Sequence, residues 1–274
     1  MSAWPRWTLA LALPLAACGP SAKPRPAPHV DELAPPIVAP VAAEAEVTFA
    51  VFHPTPPRDV DRAVRLRLRS PPPALAPFLA DAGAPPEGLS IRTVPNDDTL
   101  PLRREVLVAE AGALGPQLES ARAVTLVHAD GKPGGHQGLL RWTAWAAVLA
   151  ADNDGVVVDL ATWKAANAKD FQQQLTEPTW LEAQVVPSMW AETPELLGFA
   201  TRGMAKLGLP DVEWGGVPRA EGRTAFDALM AVVADVRGRG HGAVGEQSGR
   251  FVLVDCERPR EAYTLTCVRL KPAP

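Results

Sequence analysis

The sequence contains few of the residues from which metal and cofactor sites are built. It has three cysteines, five histidines and one tyrosine among 274 residues. Because the cysteines are so few and no histidine stands at ligand spacing from another, a zinc site is not expected. The Gly-Lys-Ser/Thr phosphate loop and the dinucleotide pattern Gly-x-Gly-x-x-Gly are both missing. The sequence therefore predicts no metal and no cofactor.

The chain also has little excess of charge of either sign and few long apolar runs. The net charge is −4 at pH 7, and no basic patch is present, which argues against a nucleic-acid partner. Beyond the N-terminal segment, no apolar run is long enough to span a bilayer as a helix. Apolar residues nevertheless make up 47% of the chain, enough for a sizeable core. We expect a single globular domain over residues 47–274.

Residues 1–17 have the composition of an export signal. Arg6 supplies a positive flank, and Thr8 to Ala17 is an apolar core too short to cross a bilayer as a stable helix. The segment ends in Leu15-Ala16-Ala17-Cys18-Gly19, which resembles the bacterial lipoprotein signal. The resemblance implies cleavage before Cys18, a lipid on its sulfur and acylation of the new N-terminus. Gly19 is not the aspartate commonly used for inner-membrane retention, which favours the periplasmic face of the outer membrane.

Residues 18–46 are predicted to be a tether. Seven prolines interrupt this segment, and a proline-rich chain favours polyproline II at ~3.1 Å per residue, which gives a reach of roughly 80 Å at full extension. Such a segment cannot bury a core. The expected partners are the membrane, through the lipid on Cys18, and an envelope protein.

The stretch from Ala123 to Leu160 predicts the centre of the domain. Val124 to Val127 and Val156 to Leu160 are short apolar runs that indicate buried strands. Between them, apolar residues recur at helical spacing from Leu139 to Ala151. Two strands joined by such a helix predict a right-handed βαβ crossover with parallel strands, buried on both faces. We therefore predict an α/β (α+β) fold with a mixed sheet.

The flanking segments predict further elements. Val47 to His53 and Leu89 to Val94 indicate strands, and Ala225 to Arg237 an amphipathic helix. Further predictions are a strand at Arg103 to Val108, a short helix at Leu114 to Ala121, a helix at Trp163 to Leu175 and a strand at Leu181 to Val186.

Three predictions concern the C-terminal third. Thr193-Pro194-Glu195 has the capping signature of a helix that would run to Leu207 and stop at Gly208. Arg250 to Cys256 and Tyr263 to Leu270 predict a C-terminal antiparallel hairpin. Leu207-Gly208-Leu209-Pro210-Asp211 is loosely similar to a motif of an uncharacterised bacterial α/β domain family, and this similarity implies no known activity.

Two cysteines remain once Cys18 carries the lipid. An export compartment favours a disulfide between Cys256 and Cys267. If the hairpin closes around Glu261-Ala262, the two cysteines lie opposite each other. If it closes on Pro259-Arg260, Cys256 faces Tyr263 and the thiols are too far apart to bond. The sequence leaves both registers open.

Candidate chemistry is confined to the ends of the central strands. Open α/β sheets place ligands at such ends, where a metal or a general base could be assembled; the candidate residues are His128, Asp130, His136 and Asp159. The loop residues Lys132, Gly134 and Gly135 precede a helix and are candidates for an anion site, although a flexible connection explains them better.

No complete catalytic set accompanies these residues. Ser188 and Ser248 lack the Gly-x-Ser-x-Gly context of a hydrolase nucleophile. We interpret the tryptophans as core or rim residues rather than a sugar-binding stack. The sequence favours a lipid-anchored envelope protein whose domain is a binding or structural module and not an enzyme. The alternative is a hydrolase or metal-dependent enzyme that uses the four strand-end residues.

Overall fold

The computed structural model describes residues 45–57, 69–71, 73, 75–79, 86, 88–97, 102, 104–132, 136–177, 180, 182–256 and 267–273. The predicted signal segment, Cys18 and most of the predicted tether lie outside these residues. Ala45 and Glu46, which the sequence analysis assigns to the tether, belong to the first strand.

Within the described residues, strands and helices alternate irregularly along the chain. The strands are β1 Ala45–His53, β2 Leu89–Pro95, β3 Ala123–Gly131, β4 Val156–Asp159, β5 Lys164–Asn167, β6 Val186–Ala191, β7 Leu196–Arg202, β8 Asp211–Pro218, β9 Gln247–Ser248, β10 Phe251–Asp255 and β11 Cys267–Pro272. The α-helices are α1 Ala76–Leu79, α2 Arg104–Glu110, α3 Gly115–Ser120, α4 His136–Ala151, α5 Ala168–Gln174 and α6 Gly222–Arg239. Short 3-10 helices cover Gly112–Leu114, Glu182–Gln184, Met204–Leu207 and Arg219–Glu221.

Strands β1 to β5 form a five-stranded sheet of order β2-β3-β1-β4-β5. Strand β1 is antiparallel to both β3 and β4, so β3 and β4 run parallel to each other with α4 as their connection. The predicted crossover is therefore confirmed, but β1 lies between its two strands. Val156 to Val158 are all buried, as expected for a strand covered on both faces.

Helix α4 packs on one face of this sheet. Twelve of its sixteen residues are buried, which is typical of a helix that is apolar all round. It joins the cluster of Phe49, Val51, Val127 and Val157, and the ring of Phe49 meets that of Phe171 edge-on at 5.7 Å. The opposite face carries a second cluster of Ala50, Phe52, Leu107, Leu118, Val124, Val156, Val158 and Leu160.

The remaining strands form a six-stranded sheet of order β6-β7-β8-β11-β10-β9. It is mixed, because β8 and β11 are parallel while its other neighbouring strands are antiparallel. The predicted C-terminal hairpin is present as β10 and β11. Helix α6 confirms the helix predicted at Ala225 to Arg237, and its end is capped by Gly240 in the left-handed conformation. The fold is thus α+β with two sheets.

Several predicted elements differ from the structure. The helix expected after Thr193-Pro194 is strand β7 followed by the 3-10 turn Met204–Leu207, which Gly208 terminates at φ 68°. Within the helix expected at Trp163 to Leu175, Lys164–Asn167 form strand β5 and only Ala168–Gln174 are helical. The strand expected at Arg103 to Val108 is helix α2, and the one expected at Leu181 to Val186 is replaced by a 3-10 turn before β6.

A disulfide joins Cys256 and Cys267, whose α-carbons are 5.8 Å apart. The hairpin pairs Asp255 with Val268, so the next pair outward is Cys256 with Cys267. Of the two registers left open by the sequence, this is the one in which the two cysteines lie opposite each other. Glu213 lies beside both sulfur atoms and accepts a hydrogen bond from Arg269 at 3.1 Å. The disulfide occupies the sulfurs that a metal ion would otherwise need as thiolates.

We expect replacement of both cysteines, Cys256→Ala with Cys267→Ala, to lower the free energy of unfolding by about 3 kcal/mol, because the cross-link restricts the unfolded chain. Urea unfolding of the oxidised protein, the reduced protein and the double variant measures this loss. Reduction should reproduce the loss in the native protein and leave the double variant unchanged. Equal stability of all three samples would mean that the bond is not formed in solution.

A row of hydrogen-bonded polar side chains spans the neighbouring strands β1, β3 and β2, and its members His53 and Thr125 are buried. His53 Nε2 and Thr125 Oγ1 hydrogen-bond at 2.8 Å, and Thr125 bonds to Thr93 Oγ1 at 2.8 Å. Burial lowers the pKa of the His53 imidazole to about 4, with Asp152 opposing the shift. His53 is therefore neutral in the folded protein at neutral pH.

This lowered pKa predicts an acid-sensitive contribution to stability. Between the unfolded pKa of 6.5 and the folded pKa of about 4, the unfolded chain binds a proton that the folded chain does not, so stability is lost as pH falls through this window. From pH 7 to pH 5 the native protein should lose about 2 kcal/mol more than the variant His53→Gln. Parallel urea titrations at the two pH values check this, and identical pH slopes would contradict a neutral His53.

Candidate functional site

A cleft of about 450 Å³ opens beside the hairpin of β4 and β5. This volume falls in the range of roughly 300–1,000 Å³ that is usual for small-molecule sites. Its walls come from the β4–β5 loop, helix α5 and the segment that precedes β6. Its polar and aromatic lining residues are Glu110, Asp159, Thr162, Trp163, Lys164, Phe171, Gln174, Glu177, Trp180 and Gln184.

The β4–β5 loop is held by Asp159. Its Oδ1 accepts hydrogen bonds from the amides of Ala161 at 3.0 Å and Thr162 at 3.3 Å. Its carbonyl oxygen accepts a third from the Trp163 amide at 2.6 Å. Short acidic side chains favour such turns because they bond to the backbone that follows them. One carboxylate thus fixes the loop that carries two cleft residues.

Trp163 has an unusual backbone conformation in this loop. Its φ is +61°, a left-handed value that is rare for a bulky residue. The guanidinium carbon of Arg202 lies 3.9 Å from the centre of the indole ring, in cation–π geometry. A strained residue persists only where its surroundings enforce it, and here the hydrogen bonds of Asp159 and the contact with Arg202 do so.

Lys206 is not a lining residue of the cleft, but it connects two of the cleft walls. Its side chain is 1% exposed, and its ammonium donates to Asp159 Oδ2 and to Gln184 Oε1, the latter at 2.9 Å. Burial lowers the pKa of the Lys206 ammonium, and the charge and hydrogen bond of Asp159 oppose that shift. Gln184 in turn donates to the carbonyl oxygen of Trp180 at 3.0 Å. The loop and the segment before β6 are therefore joined through one buried cation.

A second buried carboxylate positions Lys206. Asp211 Oδ1 accepts from the Thr201 hydroxyl and from the Met204 amide, each at 3.1 Å. Burial raises the pKa of Asp211 to about 6, and these hydrogen bonds limit the shift. They fix the 3-10 turn Met204–Leu207, on which Lys206 lies. The turn begins after Gly203, at φ +98°, where a β-carbon would come within 2.2 Å of the Gln184 carbonyl oxygen.

One buried hydroxyl of the cleft lacks a protein partner. Thr162 is 5% exposed, and its Oγ1 has no hydrogen-bond partner among the described residues. Leaving such a group unsatisfied costs about 1–3 kcal/mol. Nearby, the ring of Trp180 stacks on that of His136 at 5.7 Å and 9°, which fixes the indole.

The four predicted strand-end residues do not form one cluster. His128 is paired with Thr48 of β1, whereas Asp159 is paired with the next residue, Phe49. Neighbouring residues of a strand point to opposite faces, so the sheet separates His128 from Asp159. The predicted convergence is therefore wrong.

The four residues make separate contacts instead. His128 Nδ1 and Thr48 Oγ1 hydrogen-bond at 2.9 Å, and His128 Nε2 lies 3.9 Å from Asp130. His136 stacks on Trp180, and Asp159 pairs with Lys206. Of the predicted anion site, Lys132 is exposed after the end of β3, and Gly134 and Gly135 lie outside the described residues, so that site stays a prediction.

Sequence reasoning missed Lys206 and Gln184. The available signal was a lysine enclosed by apolar residues in Met204-Ala205-Lys206-Leu207, since a buried lysine requires a partner. The partner, Asp159, is 47 residues away, and spacing along the chain does not reveal it.

Comparisons with known proteins return nothing. No protein-family model matches this chain, and searches of curated proteins and of solved structures also find no match. None of the described helices combines the length and apolarity that crossing a bilayer requires.

Proposed function

We propose that this chain is a lipid-anchored envelope protein whose α+β body binds a small polar molecule in the cleft beside Trp163. One observation carries the binding proposal. The cleft walls are fixed in advance by a buried polar network of Lys206, Asp159 and Gln184, which holds Trp163 in a strained conformation.

This arrangement costs stability. Burying a charged pair rarely stabilises a fold more than apolar packing of equal volume, and a non-glycine residue in left-handed conformation costs roughly 1–2 kcal/mol. Proteins retain such costs where geometry must be set before a ligand arrives. A purely structural module would gain nothing from them.

The enzymatic alternative rested on His128, Asp130, His136 and Asp159. Because His128 and Asp159 lie on opposite faces of the sheet, the four residues do not act together on one substrate. We therefore do not propose a hydrolase or a metal-dependent enzyme at these positions.

The anchor is tested by expressing the full chain in a Gram-negative host with radiolabelled palmitate. We expect the native protein to incorporate label and to sediment with membranes, and Cys18→Ala to do neither, because the lipid would be attached to that sulfur. The matched control is Cys256→Ala with Cys267→Ala, which should keep the label. Label that persists in Cys18→Ala would refute the anchor.

Binding is tested by tryptophan fluorescence against a mixed library of sugars, amino acids, polyamines and organic acids. We expect at least one compound to shift the emission of the native protein and to lose this effect in Trp163→Gly. Glycine tolerates the left-handed conformation, so this variant should fold. A library without any Trp163-dependent hit would refute a ligand cleft.

A further inference from the structure

We infer that the cleft takes a neutral carbohydrate, a mono- or disaccharide unit of a glycan, seated against Trp163 and Trp180. This inference rests on the proposed binding function and names its ligand class. Three observations support it: the charge of the cleft interior, its aromatic surfaces and its unsatisfied hydroxyl.

The interior of the cleft has no net charge. The carboxylate of Asp159 is matched by Lys206, and the other buried lining residues include Thr162, Phe171 and Trp180, which are uncharged. A charged ligand group there would lose its hydration without gaining a counter-ion, at a high cost. A neutral ligand incurs no such cost.

Apart from Asp159, the charged residues that line the cleft belong to its exposed edge. Glu110 and Glu177 are acidic and Lys164 is basic, and all three are exposed. Their opposite signs do not select an anion or a cation strongly. They supply acceptors and donors at the edge, where the hydroxyls of a ligand would meet solvent.

Two tryptophans line the cleft inside this polar edge. Trp163 is half-buried, with Arg202 over its ring, and Trp180 is 4% exposed, with its ring stacked on that of His136. A rigid aromatic plane with polar groups at its border suits a ligand that is apolar on its ring faces and polar around its circumference. Sugar rings have this distribution, since their C–H bonds lie on the faces and their hydroxyls at the edge.

The unsatisfied Thr162 hydroxyl fits the same chemistry. A hydroxyl both donates and accepts, and so do the hydroxyls of a sugar. A ligand hydroxyl or ring oxygen would supply the partner that the described residues do not provide for Thr162 Oγ1. Thr162→Val keeps the shape of the side chain and removes only this group.

The test is calorimetric titration of the purified full chain with neutral oligosaccharides (maltose, cellobiose and diacetylchitobiose), with spermidine as the cationic probe and digalacturonate as the anionic probe. We expect a neutral sugar to bind, Trp163→Gly to weaken its binding at least tenfold and Thr162→Val to weaken it several-fold. The control Trp214→Phe, in β8 against Phe251, should bind as the native protein does. Unfolding curves of each variant verify that the fold is intact.

The outcomes separate the two proposals. Trp163-dependent binding of spermidine or digalacturonate, with no sugar bound, would overturn the carbohydrate inference and leave the binding function standing. Sugar binding that Trp163→Gly does not alter would place the sugar elsewhere and overturn the inference. If neither these probes nor the mixed library bind, both proposals fail.

Discussion

The variant Lys206→Met should lose about 3–5 kcal/mol of its free energy of unfolding, because it leaves the carboxylate of Asp159 buried without a cation. The side chain of Lys206 is 1% exposed, and its ammonium also donates to Gln184. Its removal therefore leaves a buried charge and a buried amide oxygen unsatisfied together. Urea unfolding followed by tryptophan fluorescence measures the loss.

Two further variants test the reason for this loss. Lys206→Met combined with Asp159→Asn removes both charges and keeps an oxygen for the β4–β5 loop, so it should recover most of the stability. Lys164→Met removes an exposed lysine from the same cleft and should change stability by less than about 0.5 kcal/mol. If the variants Lys206→Met and Lys164→Met had the same free energy of unfolding, the buried network would have no role in holding the walls.

The variant Gly203→Ala should be destabilised by at least about 3 kcal/mol, through strain in the left-handed region and collision with neighbouring atoms. A β-carbon at this position would lie 2.2 Å from the Gln184 carbonyl oxygen and 2.8 Å from Thr162 Cγ2. Both neighbours belong to cleft walls, so the substitution should also weaken ligand binding. Urea unfolding and the sugar titration measure the two effects.

Gly245→Ala provides the matched control. Gly245 has a similar φ, +90°, but a β-carbon there would meet nothing within 4 Å. It should lose only the roughly 1–2 kcal/mol of left-handed strain. The difference between the two variants isolates the close packing of the turn before Lys206. Equal losses would show that Gly203 serves its backbone conformation alone.

Local signals predicted some elements well and misassigned others for a clear physical reason. The Thr193-Pro194-Glu195 signature predicts a helix start. In the structure the Thr193 hydroxyl does accept from a following amide, that of Leu196 at 3.1 Å, but the turn joins β6 to β7. A short hydroxyl side chain stabilises a hairpin turn and a helix cap by the same bond, and the sheet neighbours decide between them.

The topology and the site depended on long-range pairing. The β3-α4-β4 crossover followed from local periodicity, but nothing local places β1 between its strands. With β1 in this position, His128 and Asp159 lie on opposite faces of the sheet, so the predicted cluster is not formed. Of the four predicted residues, Asp159 lines the candidate cleft, and a carboxylate at the end of a buried strand is conspicuous in the sequence. Its partner Lys206 lies on the 3-10 turn between β7 and β8, two strands of the other sheet.

Strand β1 is hydrogen-bonded on both sides, to β3 along its whole length and to β4 from Phe49 to Phe52. It is also the first described element of the chain. Any mechanical load applied through the residues that precede Ala45 is thus delivered to an interior strand. Tension along its axis must break two rows of bonds together in shear, instead of peeling an edge strand away bond by bond.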